Sequence, residues 1–439
     1  MTQIIEILKK FNTISIPEYL LYEKRARNSD LIRDWIMNRN TAVIRNTQTS
    51  SGWHVPEELK YPGWQTDENE NDDDDDDDDD DEDYEDKETP LSYWIKHGKH
   101  EPSCNGSQSD ILEELKYPGC QTDTNRYGET PLMLWIGCRQ NESIPEELKY
   151  PGWQTDKDKW SETPLMLWIL YRKNEPIPDE LYYPECQCDK DNSDRTPLMY
   201  WIEFRNNGSI PKELYYPGCQ TAESSWNGIP LMYWIYSRKN EPTPEELKYP
   251  GWQTVKNRVG KTPLMMWIQH RKNEPIPEEL FYPNWLTDKN KYGANAVLCW
   301  IEYRKNEPIQ EQLKCPGWQT NSITFGHSPL MAWIKFRVRE QIPEDLFYTG
   351  CQITTLNSGI TPLALWIISR KNEPIPDKLF YTGCQTDKNN DGQILMTLWN
   401  KFRKDEPIPD ELIRIDLHTD KNNQTNTPLI FVWNGWKHF

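Results

Sequence analysis

Three stretches of this 439-residue chain, and one recurring residue, are of types that could do chemistry. DKNNDGQIL, at Asp387–Leu395, opens like a calcium loop, with Asp387, Asn389, Asp391, Gly392 and Ile394 in register. Its twelfth position is Leu398 instead of glutamate, so the bidentate ligand is missing. Gly260, Lys261 and Thr262 read like the end of a phosphate loop, but Val255 stands where the first glycine belongs. HGKHEPSC offers His97, His100 and Cys104 as zinc ligands with no evident fourth. The last candidate is arginine, at Arg139, Arg172, Arg205, Arg238, Arg271, Arg304, Arg337, Arg370 and Arg403, which would suit a stripe of phosphates or carboxylates.

Histidine is scarce, with 7 in the chain, and no nucleophile–base pair recurs. The reading is therefore of no catalytic residues, no metal, no cofactor and no enzyme. A metal-dependent or enzymatic module stays as a rival class. A third class is a structural, self-assembling rod.

The arginine spacing points to the architecture, because every step is 33 residues. Tryptophan keeps the same step at Trp135, Trp168, Trp201, Trp234, Trp267, Trp300, Trp333, Trp366 and Trp399. Looser copies fall at Trp35, Trp94 and Trp433. A fixed period of this length signals a quasi-linear stack of small units, none able to bury a core alone.

One unit, Thr163 to Arg195, shows why. A threonine followed by proline suits a helix start. LMLWILYR is apolar on most sides, as expected of a helix covered by neighbours. KNEP ends it. IPDEL starts a second, shorter helix of about two turns, with Asp179 and Glu180 near its positive end and Pro184 closing it. A polar loop follows. Its turn column reads Gly128, Ser161, Asp194, Asn227, Gly260, Gly293, Gly326, Gly359 and Gly392, residues that tolerate positive φ.

These features resemble the ankyrin repeat, with DTNRYGETPL (Asp123–Leu132) and DKNKYGA (Asp288–Ala294) matching its finger. The resemblance spans 89–439 clearly and 1–66 loosely. It implies an all-α solenoid of helix–turn–helix units with projecting loops. It also implies partner binding through the loop tips and the adjoining first-helix face. Three departures stand out. Met133, Met166 and Met199 replace the ankyrin histidine, tryptophan replaces a small alanine, and the second helix is cut short. A large indole would fill the volume that the short helix leaves, contributing roughly 5 kcal/mol at most. The tryptophan column is thus expected in the core; a row binding sugars or bases is the alternative.

A glutamate follows the arginine by three residues in most units, from Glu142 and Glu175 to Glu406, so a paired Arg–Glu ladder at the helix C-terminus is the structural reading of that column. The loop-tip position reads Tyr127, Trp160, Ser193, Trp226, Val259, Tyr292, Phe325, Ser358 and Asp391. Its five aromatics, Tyr127, Trp160, Trp226, Tyr292 and Phe325, are the candidate partner-binding residues. Packing of each ring on its neighbouring loop is the other reading.

Charge is uneven. Residues 67–88 hold 18 acids and one lysine, so all but 3 of the 20 net negative charges lie there. This divides the chain into divergent repeats at 1–66, an acidic disordered insert at 67–88 and the array at 89–439, which ends in a partial repeat. Such an insert reads as a solvated, tolerated loop insertion, with a lure for basic segments or a weak divalent-cation sponge as the functional alternative. The remainder is near neutral, which disfavours nucleic acid and leaves protein partners as the expectation.

No apolar run is long enough to span a membrane, and Glu6, Lys9 and Lys10 interrupt the start of the chain. Cysteine shares one column with tryptophan: Cys120, Cys186, Cys219, Cys351 and Cys384 alternate with Trp153, Trp252, Trp285 and Trp318. An apolar slot, with neighbours roughly 8–10 Å apart, does not suit disulfides limited to about 7 Å. An intracellular protein, cytoplasmic or nuclear, is expected.

Overall fold

The computed structural model describes residues 31–33, 60, 63–66, 88–98, 115–205, 208–320 and 326–413. The chain divides into two compact units, Met1–Arg238 and Lys239–Phe439. Among the described residues of the first are α1 (Pro90–His97), α2 (Pro131–Cys138), α3 (Pro164–Tyr171), α4 (Pro197–Phe204) and α5 (Pro230–Ser237). The second holds α6 (Pro263–His270), α7 (Ala296–Tyr303), α8 (Pro329–Phe336), α9 (Pro362–Ser369) and α10 (Leu395–Phe402). Each is eight residues long, and within each unit successive helices pack in series. The described residues contain no β-strand, only two isolated bridges, so the architecture is an all-helical repeat.

The local sequence explains both ends of each helix. Thr130, Thr163, Thr262 and Thr361 accept from the backbone N–H three residues on, and proline follows at the first helical position. At the other end the chain leaves helical geometry at the arginine, and two residues later it turns through positive φ. Asn141, Asn240, Asn273, Asn306 and Asn372 take φ of 61–66° there. Asparagine adopts that region with little penalty.

The second helix is shorter than the sequence suggests. PDEL forms one 3-10 turn, Asp179–Leu181, in which Leu181 N–H meets the Pro178 carbonyl at 3.0 Å. The chain is extended again by Tyr182, as it is at Phe347 and Phe380, where Thr349 and Thr382 stand in place of the proline. A further 3-10 turn follows, Cys186–Cys188 here and Trp153–Thr155 in the preceding repeat. It buries the cysteine or tryptophan of the shared slot. The described cysteines are all free thiols.

All nine periodic tryptophans are buried, none more than 8% exposed. Several of these indoles do more than fill space. In five repeats Nε1 donates at 3.1 Å to the carbonyl eight residues on, as Trp267 does to Pro275 and Trp300 to Pro308. The large residue therefore ties the helix to the chain returning from it.

The arginines are buried too, and they join repeats. Arg172 stacks over its own Trp168 ring at 4.1 Å and pairs with Glu175 at 3.1 Å. Its Nε donates to Ile136 O at 3.0 Å, and another guanidinium nitrogen reaches Trp135 O at 3.1 Å. Ile136 O lies in the last turn of the preceding helix, where carbonyls lack an intrahelical partner, and Trp135 O also accepts from the Arg139 N–H. Glu175 turns its other oxygen to the Asn141 N–H of the preceding repeat at 2.9 Å. The same triad recurs in the second unit, where Arg304, Glu307 and Asn273 hold one repeat to the last.

The acidic run lies outside the described residues except for Glu88. That residue is buried and paired with Lys96 at 2.7 Å, so it belongs to the repeat framework instead of the insert. The partial repeat at the C-terminal end also lies outside the described residues.

Candidate functional site

Between one 3-10 turn and the next helix the chain projects as a finger. An Asn or Asp near its tip shapes it. Asp158 Oδ1 accepts from the N–H groups of Trp160 at 2.9 Å and Glu162 at 2.8 Å. Asn125, Asp191, Asn257 and Asn290 do the same in their own fingers. These are side chains that mimic a backbone turn. The turn column then takes positive φ, at Gly128, Ser161, Asp194 and Gly260 among others. In the finger of Asn227 the positive φ moves to Gly228, which bridges to Ser224.

Fingers join through one backbone bond per repeat. Lys159 N–H meets the Tyr127 carbonyl at 2.8 Å, Asn192 N–H the Trp160 carbonyl at 2.8 Å, and Lys291 N–H the Val259 carbonyl at 2.9 Å. The close approach explains the glycine at Gly128 (φ +77°), where a Cβ would stand 3.0 Å from Lys159 N. The tip backbone is thus held while the tip side chain is left free to vary.

The candidate aromatics divide accordingly. Tyr127 stacks on Trp160, with ring centroids 5.6 Å apart, and is half-buried. Trp160, Trp226 and Tyr292 stay 49, 59 and 63% exposed. Phe325 lies outside the described residues. Half-exposed rings on the last turn of the helices, Tyr171 and Tyr236, add to the exposed aromatics of the first unit; sequence reasoning had not singled them out. Tyr236 contrasts with Gly137, Glu203 and Gln269 at matching positions, whereas the Tyr171 column also holds Phe204, Tyr303, Phe336 and Phe402 and carries no such signal.

A buried polar cluster also lies in the first unit. Tyr200, fully buried, donates to Glu162, and its hydroxyl lies 3.0 Å from Asp191 Oδ2. Arg195 contacts Asp191 at 2.7 Å, the Tyr200 hydroxyl at 2.8 Å and Glu203 at 3.4 Å. Burial pushes the carboxyls of Glu162 and Glu203 up from their ordinary range, and it raises Tyr200 as well. The next repeat keeps a tyrosine there, Tyr233, whose hydroxyl donates to Ser224 at 2.9 Å, whereas Leu134, Leu167, Met266 and Leu365 are apolar.

The chemical motifs are absorbed by the fingers. Asp387 accepts from the Tyr381 hydroxyl, and Asn389 holds Gln393 through both its amide oxygen and its nitrogen. Lys261 is buried, with its ammonium on Gln269. His100 and Cys104 lie outside the described residues. Among the described residues no group of three or more His, Cys, Asp or Glu is arranged to hold a metal. No helix among them is long and apolar enough to cross a membrane. No protein-family model matches the chain, and no curated protein matches it.

Proposed function

We propose that the chain is a non-catalytic scaffold for protein–protein interaction, a solenoid of ankyrin-like repeats that holds its partner on the finger tips and the adjoining ends of the first helices. One observation carries this reading: Trp160, Trp226 and Tyr292 stand half or more exposed on tips whose backbone is fixed. Large exposed rings on a rigid frame lose little entropy on contact and are typical anchors of protein interfaces. The framework residues have structural duties in every repeat, whereas the tips do not.

The test replaces Tyr127, Trp160, Trp226, Tyr292 and Phe325 together by serine and follows both melting and co-purified partners. Partners lost with unchanged melting support the reading. Lost melting assigns the rings to packing, and unchanged partners overturn it.

A further inference from the structure

The fingers differ in charge. In the first unit 123–129, 156–162, 189–195 and 222–228 each carry one net negative charge. In the second unit 255–261 holds Lys256, Arg258 and Lys261 with no acid, and 288–294 holds Lys289 and Lys291 against Asp288. These two fingers are neighbours, for Lys291 N–H meets the Val259 carbonyl at 2.9 Å. Lys256, Arg258, Lys289 and Lys291 are all exposed. Asp288 is taken by Lys256 at 2.8 Å.

The fifth cation is buried beneath them. Lys261 is 8% exposed, with its ammonium on Gln269 and 5.0 Å from the centre of the Tyr303 ring. In register it matches Arg195 of the first unit, which pairs with Asp191 at 2.7 Å and Glu203 at 3.4 Å. Both of those acids are neutral amides here, Asn257 and Gln269. The cation is kept and its two counter-charges are not. His270, in the last turn of α6, feels the same excess: burial first, then Lys261, Lys239 and Lys272, lower it to about 4. A buried charge without a counter-ion is costly, and an anion laid over the fingers offsets part of that cost.

The chain itself contains a segment of opposite sign. Asp72–Asp81 are ten consecutive aspartates. Extended, such a run spans roughly 33–36 Å, enough to cross two adjacent fingers. It lies outside the described residues, between Thr66 and Glu88 of the first unit. The linking residues on either side stretch no farther than about 25 Å. The next fingers of that unit, 123–129 and 156–162, are net negative and repel it.

We propose that fingers 255–261 and 288–294 of one copy take the aspartate run 72–81 of a second copy. This contact rests on the finger-tip reading only in taking the fingers as the surface that meets a partner, and it names one partner. A short acidic peptide suits the patch better than a nucleic acid. The positive charge is confined to two fingers, whereas 354–360 is neutral and 387–393 is net negative, so no continuous basic stripe is available to a phosphate backbone.

The test reads the mass of the full chain by sedimentation velocity at about 50 mM and about 0.5 M salt. The wild type should exceed the monomer mass at low salt and fall to it at high salt. Two variants remove one side each. The first combines Arg258→Gln, Lys289→Gln and Lys291→Gln, which leaves Lys256 on Asp288 and Lys261 in place. The second replaces Asp72–Asp81 by glycine and serine. The substituted cations are exposed, so the first variant should melt like the wild type. Each variant alone should need at least about tenfold higher concentration to associate. Mixed, the two should form a one-to-one dimer, because one still offers the run and the other the fingers, and a single contact of this kind does not propagate. A monomeric wild type at low salt, or a mixture that stays monomeric, would overturn the proposal. A first variant that associates like the wild type but loses a fluorescein-labelled oligonucleotide would overturn it too, by assigning the fingers to phosphates. The five-ring variant should still associate, so the aromatic anchors and the charged contact stand or fall in separate assays.

Discussion

Arg304 Nε donates to the Ile268 carbonyl at 2.8 Å, across 36 residues of sequence, while the guanidinium rests 4.7 Å above the Trp300 ring. One side chain therefore stacks on its own helix and caps the helix before it. Burial pulls the guanidinium pKa down, but Glu307 and the carbonyls keep it charged and satisfied. Arg304→Met should take this donor from the Ile268 and Glu274 carbonyls and leave Glu307 held only by the Asn273 N–H, at a cost of about 3–5 kcal/mol. Urea denaturation should show a broadened transition, since repeats couple through neighbours. A sharp transition near the wild-type midpoint would mean that the arginine is ornamental.

Trp267 separates two contributions that the sequence could not distinguish. Its ring is buried and its Nε1 donates to the Pro275 carbonyl at 3.1 Å. Trp267→Ala should cost roughly 3–5 kcal/mol, as a cavity plus lost transfer energy. Trp267→Phe keeps much of the volume and deletes the donor, so a smaller loss of about 1–3 kcal/mol is expected, set by the orphaned carbonyl. Equal losses in the two variants would show that the hydrogen bond to the returning chain carries most of the effect.

The repeat, the single helix start and the turn column were legible because they rest on local rules: threonine before proline, and glycine or asparagine at positive φ. The Arg172–Glu175 pair was legible from its spacing of three. What Arg172 does to Ile136 and Trp135 was not, because it depends on how one repeat lies on the last. The second helix was overestimated because Pro178 and Pro184 bracket a stretch long enough for two turns, yet the residues before Pro184 are already extended.

Cys186 and Cys188 sit two residues apart in the same 3-10 turn with opposite exposure. Cys186 is fully buried in the slot shared with tryptophan, and burial pushes its thiol up to about 11, whereas Cys188 is exposed. Brief iodoacetamide treatment followed by peptide mapping should label Cys188 and spare Cys186, because the thiolate is the reactive form. Cys219, Cys351 and Cys384 should also be spared until denaturant is added. Equal labelling within the Cys186–Cys188 turn would show that the slot is open in solution.

The two units should respond to acid in opposite senses. His327 in the second unit is 8% exposed, has a buried Nδ1 without a partner, and is lowered to about 4, chiefly by burial and then by Lys335. An imidazole lowered in the folded state binds its proton more readily once unfolded. Its contribution is complete above the ordinary value of 6.5 and is lost as pH falls through about 4, a change of roughly 3 kcal/mol. Glu162 and Glu203 in the first unit are raised, so the folded state holds their protons more tightly. Their contribution is complete below the ordinary value of 4.5 and is lost as pH rises through the raised folded values. Amide exchange across this range, corrected for the intrinsic rate, should show α8 losing protection on acidification while α3 and α4 gain it. His327→Gln should flatten the first response and leave the second intact. Parallel loss in both units, unchanged by His327→Gln, would show that overall charge governs the acid response and that these buried groups do not.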